Sequence, residues 1–73
     1  MTPSQCRAAR ALLNLEQSQV AEKAGVARAT VNEFERSVRT PRQSTIDAIR
    51  MALEEDVEFI PENGGGAGVR LKK

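Results

Sequence analysis

The sequence predicts a mainly α-helical domain, four short helices followed by a C-terminal β-hairpin. Three observations carry that expectation. Apolar residues recur at helical spacing in four segments that end by Leu53. A glycine, Gly25, sits between two good helical halves in "VAEKAGVARATV". After Asp56 the pattern changes to the alternation of strands.

Each element has a local cause. Thr2 or Ser4 is placed to cap the first helix, and Pro3 is tolerated in its first turn. Ala9, Leu12 and Leu13 form its inner face, and Asn14 suits its stop because Asn accepts left-handed backbone geometry. The second helix covers about Gln17 to Ala24 and buries Val20, Ala21 and Ala24 before Gly25 ends it. The third runs from about Arg28 to Arg36, with Val31 and Phe34 inward. Thr40-Pro41 breaks the helical pattern, since a residue before proline is pushed out of helical geometry. The fourth covers about Ser44 to Leu53 and buries Ile46, Ile49, Ala52 and Leu53. Val57-Glu58-Phe59-Ile60 and Val69-Arg70-Leu71 then read as strands around a loose, glycine-rich loop. The expected division is therefore a helical unit over 1–56 and a hairpin over 57–73.

Length and composition set limits. With 73 residues the chain accommodates one small domain whose stability is a few kcal/mol in the absence of a partner. Phe34 and Phe59 are its only aromatics, so aliphatic side chains must build the core. No apolar run is long enough to span a membrane, and the N-terminus shows no apolar signal-peptide core. Cys6 is the single cysteine, read as a small, partly buried helix residue, and a reducing cytoplasmic setting is expected. The net charge of +1 hides an asymmetry. Residues 1–53 hold eight Arg or Lys against five acids, whereas residues 54–73 hold three against five. Arg36, Arg39 and Arg42 follow one another with no acid between them, which suits either a solvated loop or a phosphate clamp.

Gly25 makes sense in a helix-turn-helix, where two helices cross steeply over a short turn. Such a turn needs a residue able to adopt positive φ, a small residue where the helices touch, and branched apolar residues beneath. Gly25 and Ala21 meet the first two needs, and Val20, Ala24, Val26, Val31 and Phe34 the third. This combined spacing is far more specific than a lone glycine.

On those residues, "LNLEQSQVAEKAGVARATVNEFERSVRTPRQSTIDAIRMAL" resembles the Xre family, the Cro/λ-repressor-like helix-turn-helix DNA-binding domains, over about residues 5 to 53. The resemblance implies a λ-repressor-like helical bundle in which Gln17 opens the second helix and the segment from Arg28 is the recognition helix. It also implies an internal ion pair between Arg10 and Glu35 that fixes that helix. Three positions depart from the pattern: Glu16 and Ala27 stand where Ser or Thr caps are common, and Ser37 replaces a frequent glycine.

If the third helix enters the major groove, its exposed start reads bases. Arg28 is suited to guanine, Asn32 to adenine and Glu33 to cytosine, while Ala29 offers a methyl contact and Thr30 reaches a base or a phosphate. The bland alternative for each is a solvated helix face. Gln17, at the positive end of the second helix, is expected to face phosphate, with Arg36, Arg39, Thr40 and Arg42 gripping the backbone beside it.

An enzyme is not expected. Without histidine and with one cysteine, the common metal and nucleophile sets are missing, and the glycine run fits neither phosphate-loop pattern. No cofactor is implied. The function expected is a sequence-specific DNA-binding regulator, a repressor, acting as a homodimer on a two-fold operator in double-stranded DNA. Alternatives are an antitoxin or other protein-binding regulator, whose partner is a toxin or an anti-repressor, and a DNA-architectural or recombination-directionality factor. Val57, Phe59, Val69 and Leu71 form an apolar strip on the hairpin, expected to meet a second copy, with self-packing on the helices and disorder as the competing readings.

Overall fold

A computed structural model describes residues 1–72. Four helices, α1 (Pro3–Leu13), α2 (Gln17–Ala24), α3 (Arg28–Glu35) and α4 (Gln43–Glu54), precede the strands β1 (Val57–Ile60) and β2 (Gly68–Leu71). No helix among the described residues is long and apolar enough to cross a membrane.

Local chemistry sets the boundaries. Thr2 is the cap of α1: its hydroxyl accepts from the Gln5 N–H at 3.1 Å, and Gln5 Oε1 accepts from the Thr2 N–H at 2.8 Å. This reciprocal pair satisfies two of the four donors a helix start leaves free. Asn14 ends the helix at φ 56°, in the left-handed conformation. Gly25 does the same for α2 at φ 72°, and a Cβ there would meet nothing within 4 Å. The turn therefore requires glycine for its backbone angle and not for space. After α3, Ser37 adopts φ 59°, a conformation in which glycine would be unstrained. Ala27 starts α3 with no side-chain hydrogen bond, as its methyl group dictates.

The core is Cys6 and Ala9 from α1, Val20 and Ala21 from α2, Val31 and Phe34 from α3, Ile49 and Leu53 from α4, and Val57 from β1. Two details differ from the expected packing. Leu12 is 42% exposed, and Cys6 is wholly buried in its stead. The buried stripe of α1 passes through Cys6, Ala9 and the half-buried Leu13, and Leu12 lies at its far edge. Ile46 and Ala24 are half-buried against the core and not inside it.

The hairpin is antiparallel, with Val57 opposite Leu71, Glu58 opposite Arg70 and Phe59 opposite Val69. It is not a separate unit. Val57 is fully buried, and Phe59 and Val69 pack against the helical core. Gln5 binds it a second way, its Nε2 donating to the carbonyls of Ile60 at 3.1 Å and Gly68 at 2.8 Å. Three of the four residues expected to form an outward apolar strip thus face the chain's own helices, and Leu71 alone is largely exposed, at 51%. The reason is geometric: β1 begins three residues after α4, so Val57 falls naturally into the core at the end of the bundle. The loop is also less loose than its glycines suggest, because Glu62 Oε2 accepts from the N–H groups of Gly64 at 3.1 Å and Gly66 at 3.2 Å.

Candidate nucleic-acid interface

The site is organised around one buried carboxylate. Glu35, the last residue of α3, is 2% exposed. Arg10 reaches it from α1 with both arms of its guanidinium, Nε to Oε2 and Nη2 to Oε1, each at 2.7 Å. Such a fork is among the stronger arrangements available to a charged pair. The third nitrogen, Nη1, donates to the carbonyl of Leu15 at 3.1 Å, so the same side chain also pins the turn before α2. Gln17 Nε2 donates to Glu35 Oε1 at 3.1 Å, and the Cys6 thiol donates to Oε2 at 3.1 Å. Burial opposes ionisation of Glu35, but hydrogen bonds from Arg10, Gln17 and Cys6, with the charge of Arg10, outweigh it and hold the carboxyl below its ordinary range. The Arg10 guanidinium is raised by its bonds to Glu35 against the cost of burial. Burial first, then the bond to Glu35 and its negative charge, push the Cys6 thiol well above its ordinary value. An un-ionised, inaccessible thiol is chemically inert.

The expected pair of Arg10 and Glu35 is therefore present, and it joins the first helix to the end of the third. Arg7 adds a further tie, its Nη1 donating to the Glu35 carbonyl and its Nη2 to Ser4 Oγ at 3.0 Å. A carbonyl at the end of a helix has no intrahelical donor, and this guanidinium supplies one.

With its inner face locked, α3 turns the other face outward. Arg28 and Ala29 are exposed at its start, and Thr30, Asn32 and Glu33 are half-buried along the same side. The exposed residues Arg36, Arg39, Thr40 and Arg42 continue from it toward α4. An open, polar groove runs there, lined by Thr30, Glu33, Arg39, Thr40, Arg42 and Thr45. Its far wall is the start of α4, where Arg42 occupies the cap position with no side-chain bond to the helix amides. The groove thus combines cationic side chains with a helix N-terminus, a pairing that suits phosphate oxygens.

Gln17 is placed differently from the sequence expectation. Its amide lies between α2 and α3, giving a hydrogen bond to Glu35 and accepting one from Asn32 Nδ2 at 3.2 Å. The first backbone amides of α2 have no intrahelical acceptor, as at any helix start. Sequence reasoning also missed the roles of Cys6, Arg7 and the second bond of Gln5. The spacing Thr2-x-x-Gln5 does announce the α1 cap. The other contacts depend on helix crossing, which no short-range spacing encodes.

A family model for helix-turn-helix domains, of the Cro/C1 type, matches residues 7–60. That span runs from within α1 through β1, so it takes in the turn at Gly25, the outward face of α3 and the arginine-lined groove. A search of curated proteins found no match.

Proposed function

The chain belongs to the Cro/C1-type helix-turn-helix family, and we propose that it is a sequence-specific repressor that docks α3 in the major groove of a two-fold operator. The supporting observation is the locking of α3 by the buried Arg10–Glu35 fork, which leaves Arg28, Ala29, Thr30, Asn32 and Glu33 on one open side. Arg28 pairs with guanine through two hydrogen bonds, Asn32 meets adenine and Glu33 accepts from a cytosine amino group. Ala29 and Thr30 supply short contacts beside them. Arg36, Arg39, Thr40 and Arg42 hold the phosphates that flank this segment, and the α2 amides at Gln17 hold another.

Two copies bind together. The hairpin leaves Leu71 exposed and its two strands carry no third strand among the described residues, and this pair of strands supplies the contact between copies. The exposed parts of Phe59 and Val69 border it, whereas Val57 is buried and takes no part. Recognition helices about 34 Å apart then fall on successive major grooves.

The test compares two arginines. Arg28→Ala costs about 1–3 kcal/mol on the preferred duplex and relaxes the preference at one base pair. Arg39→Ala weakens binding to all duplexes alike and lowers the salt slope by about 1. Equal losses for both variants on preferred and random duplexes contradict this division of labour. Leu71→Lys should shift the sedimenting species from dimer to monomer at micromolar concentration, and an unchanged dimer removes the hairpin from the contact.

A further inference from the structure

Asn32 is bonded to Gln17, and Gln17 is bonded to Glu35, so a chain of hydrogen bonds leads from the buried fork to the outward face of α3. The direction of that chain is not arbitrary. A side-chain amide has a donor end and an acceptor end, nearly identical in shape. Chemistry does. An ionised carboxylate only accepts, and Arg10 keeps Glu35 ionised. Gln17 must therefore turn its NH2 group to Glu35 at 3.1 Å, which leaves its Oε1 facing Asn32. An oxygen acceptor there requires the NH2 group of Asn32, found at 3.2 Å. The orientation of the Asn32 amide is thus dictated by a charge two side chains away.

We infer that Gln17 is a positioning residue for base recognition: it holds the Asn32 amide in the single orientation that leaves Oδ1 and one Nδ2 hydrogen for a base. This deepens the reading of α3 as the recognition helix and rests on it. An Asn nitrogen carries two hydrogens. One is spent on Gln17. The second, with Oδ1, forms a donor–acceptor pair that complements N7 and the N6 amino group of adenine in the major groove. Arg36 Nη1 lies 3.5 Å from Oδ1, at the limit of a hydrogen bond, so the oxygen stays open to a stronger donor. Were the amide free to flip, its other face would match a base with the opposite pattern, and discrimination at that base pair would fall. Holding the amide before binding also removes an ordering cost from the specific complex.

The experiment uses a pool of random-sequence duplexes from which the full-length protein selects its preferred site. Asn32→Ala identifies the base pair that Asn32 reads. Gln17→Met keeps the length of the side chain and leaves the Arg10–Glu35 fork in place. It should reduce discrimination at that one base pair by about tenfold while discrimination at the other base pairs of the site is retained. In the Gln17→Met, Asn32→Ala double variant no further loss should occur, because Gln17 acts through Asn32. Losses that add, or that fall equally on preferred and random duplexes, identify Gln17 as a phosphate contact and overturn the proposal. A second measurement needs no variant. In the free protein, nuclear Overhauser contacts should place the Gln17 NH2 protons on the Glu35 side and the Asn32 NH2 protons on the Gln17 side; the reverse arrangement overturns the proposal. If the wild-type protein selects no sequence, the recognition-helix reading itself fails, and the positioning role fails with it. A selected site whose discrimination survives Gln17→Met defeats the positioning role alone.

Discussion

Two ion pairs of nearly the same length hold the two ends of this molecule, and they do different work. Arg10 and Glu35 meet at 2.7 Å between α1 and α3, with side chains 22% and 2% exposed. Arg70 and Glu58 meet at 2.9 Å across the hairpin, with side chains 65% and 52% exposed. The first carboxylate has exchanged water for four side-chain bonds from three residues, so removing any large part of that shell leaves a charge without compensation. The second retains its water and gains little from its partner. Burial, not distance, separates a pair that fixes α3 from one that merely decorates a strand.

The largest expected effect follows directly. Arg10→Ala should cost about 3–5 kcal/mol, because Glu35 is left buried without its cation, and Glu35→Ala should fall toward the lower end of that range, because Arg10 is partly exposed and keeps its bond to the Leu15 carbonyl. Against a total stability of about a few kcal/mol for so small a domain, either variant should be largely unfolded by circular dichroism at 25 °C. Replacing both, as Arg10→Met with Glu35→Leu, should recover much of the loss, although Cys6 and Gln17 then lack their acceptor. Melting curves unchanged by the single substitutions would erase the contrast between the two ends.

Titration offers a gentler way to remove the same charge. Folding depresses the Glu35 carboxyl below its ordinary value of 4.5. A depressed carboxyl contributes stability that is fully present above that ordinary value and is lost as pH falls through the lower, folded one. The melting temperature should therefore be insensitive to this group near neutrality and fall progressively below about pH 4.5. Glu58 is also depressed, by its bond to Arg70 and the charge beside it, but it remains in water. Glu35→Gln should flatten the acid limb of the profile, and Glu58→Gln should leave it almost unaltered. The opposite ranking would mean that the exposed pair, and not the buried one, governs acid stability.

A smaller effect tests whether the fork alone fixes α3 or whether its turns matter as much. Ser37 holds φ 59° where the backbone of glycine is unstrained. Ser37→Gly should raise stability by up to about 1 kcal/mol, the relief of left-handed strain being offset by the freer unfolded chain. Ala27→Ser should add about 1 kcal/mol by capping the start of α3. Gains exceeding the loss from Glu35→Ala would show that the helix ends, not the fork, dominate. Both departures were visible in the sequence because turn and cap chemistry are local.

That distinction explains which parts of the molecule could be read in advance. The helix limits at Asn14 and Gly25 follow from backbone preferences of single residues, and the strands from simple alternation. The Arg10–Glu35 fork came from family resemblance and not from spacing, since 25 residues separate the partners. The hairpin's docking was beyond local reading, because it depends on where α4 ends relative to α1. Once Val57 is seen in the core, the buried Gln5 amide becomes intelligible: two strand carbonyls face the bundle and need a donor. Gln17 shows the same limit at the site. Its position at a helix start suggests phosphate, yet the side chain turns toward the neighbouring helix, where an acceptor-only carboxylate claims its NH2 group.

The exposed pair supplies the smallest expected effect and the sharpest control. Glu58 and Arg70 are directly opposed in the hairpin register, so each is well placed to meet the other. Both side chains are long and solvated, and holding them together costs rotamer freedom that a screened attraction scarcely offsets. Glu58→Ala and Arg70→Ala should therefore leave the thermal midpoint unchanged within error at physiological salt, singly or together. Reversing the charges, Glu58→Arg with Arg70→Glu, should be equally silent. At low ionic strength a slight stabilisation of the wild type should emerge, since screening weakens as the Debye length grows to about 30 Å at 0.01 M. A loss comparable to that of Arg10→Ala would require the hairpin pair to be desolvated. A second copy covering the outer face of the strands would have that effect, so the measurement should be repeated across protein concentration. A loss confined to high concentration would place Glu58 and Arg70 inside the contact between copies, and the two ends of the molecule would then differ only until it dimerises.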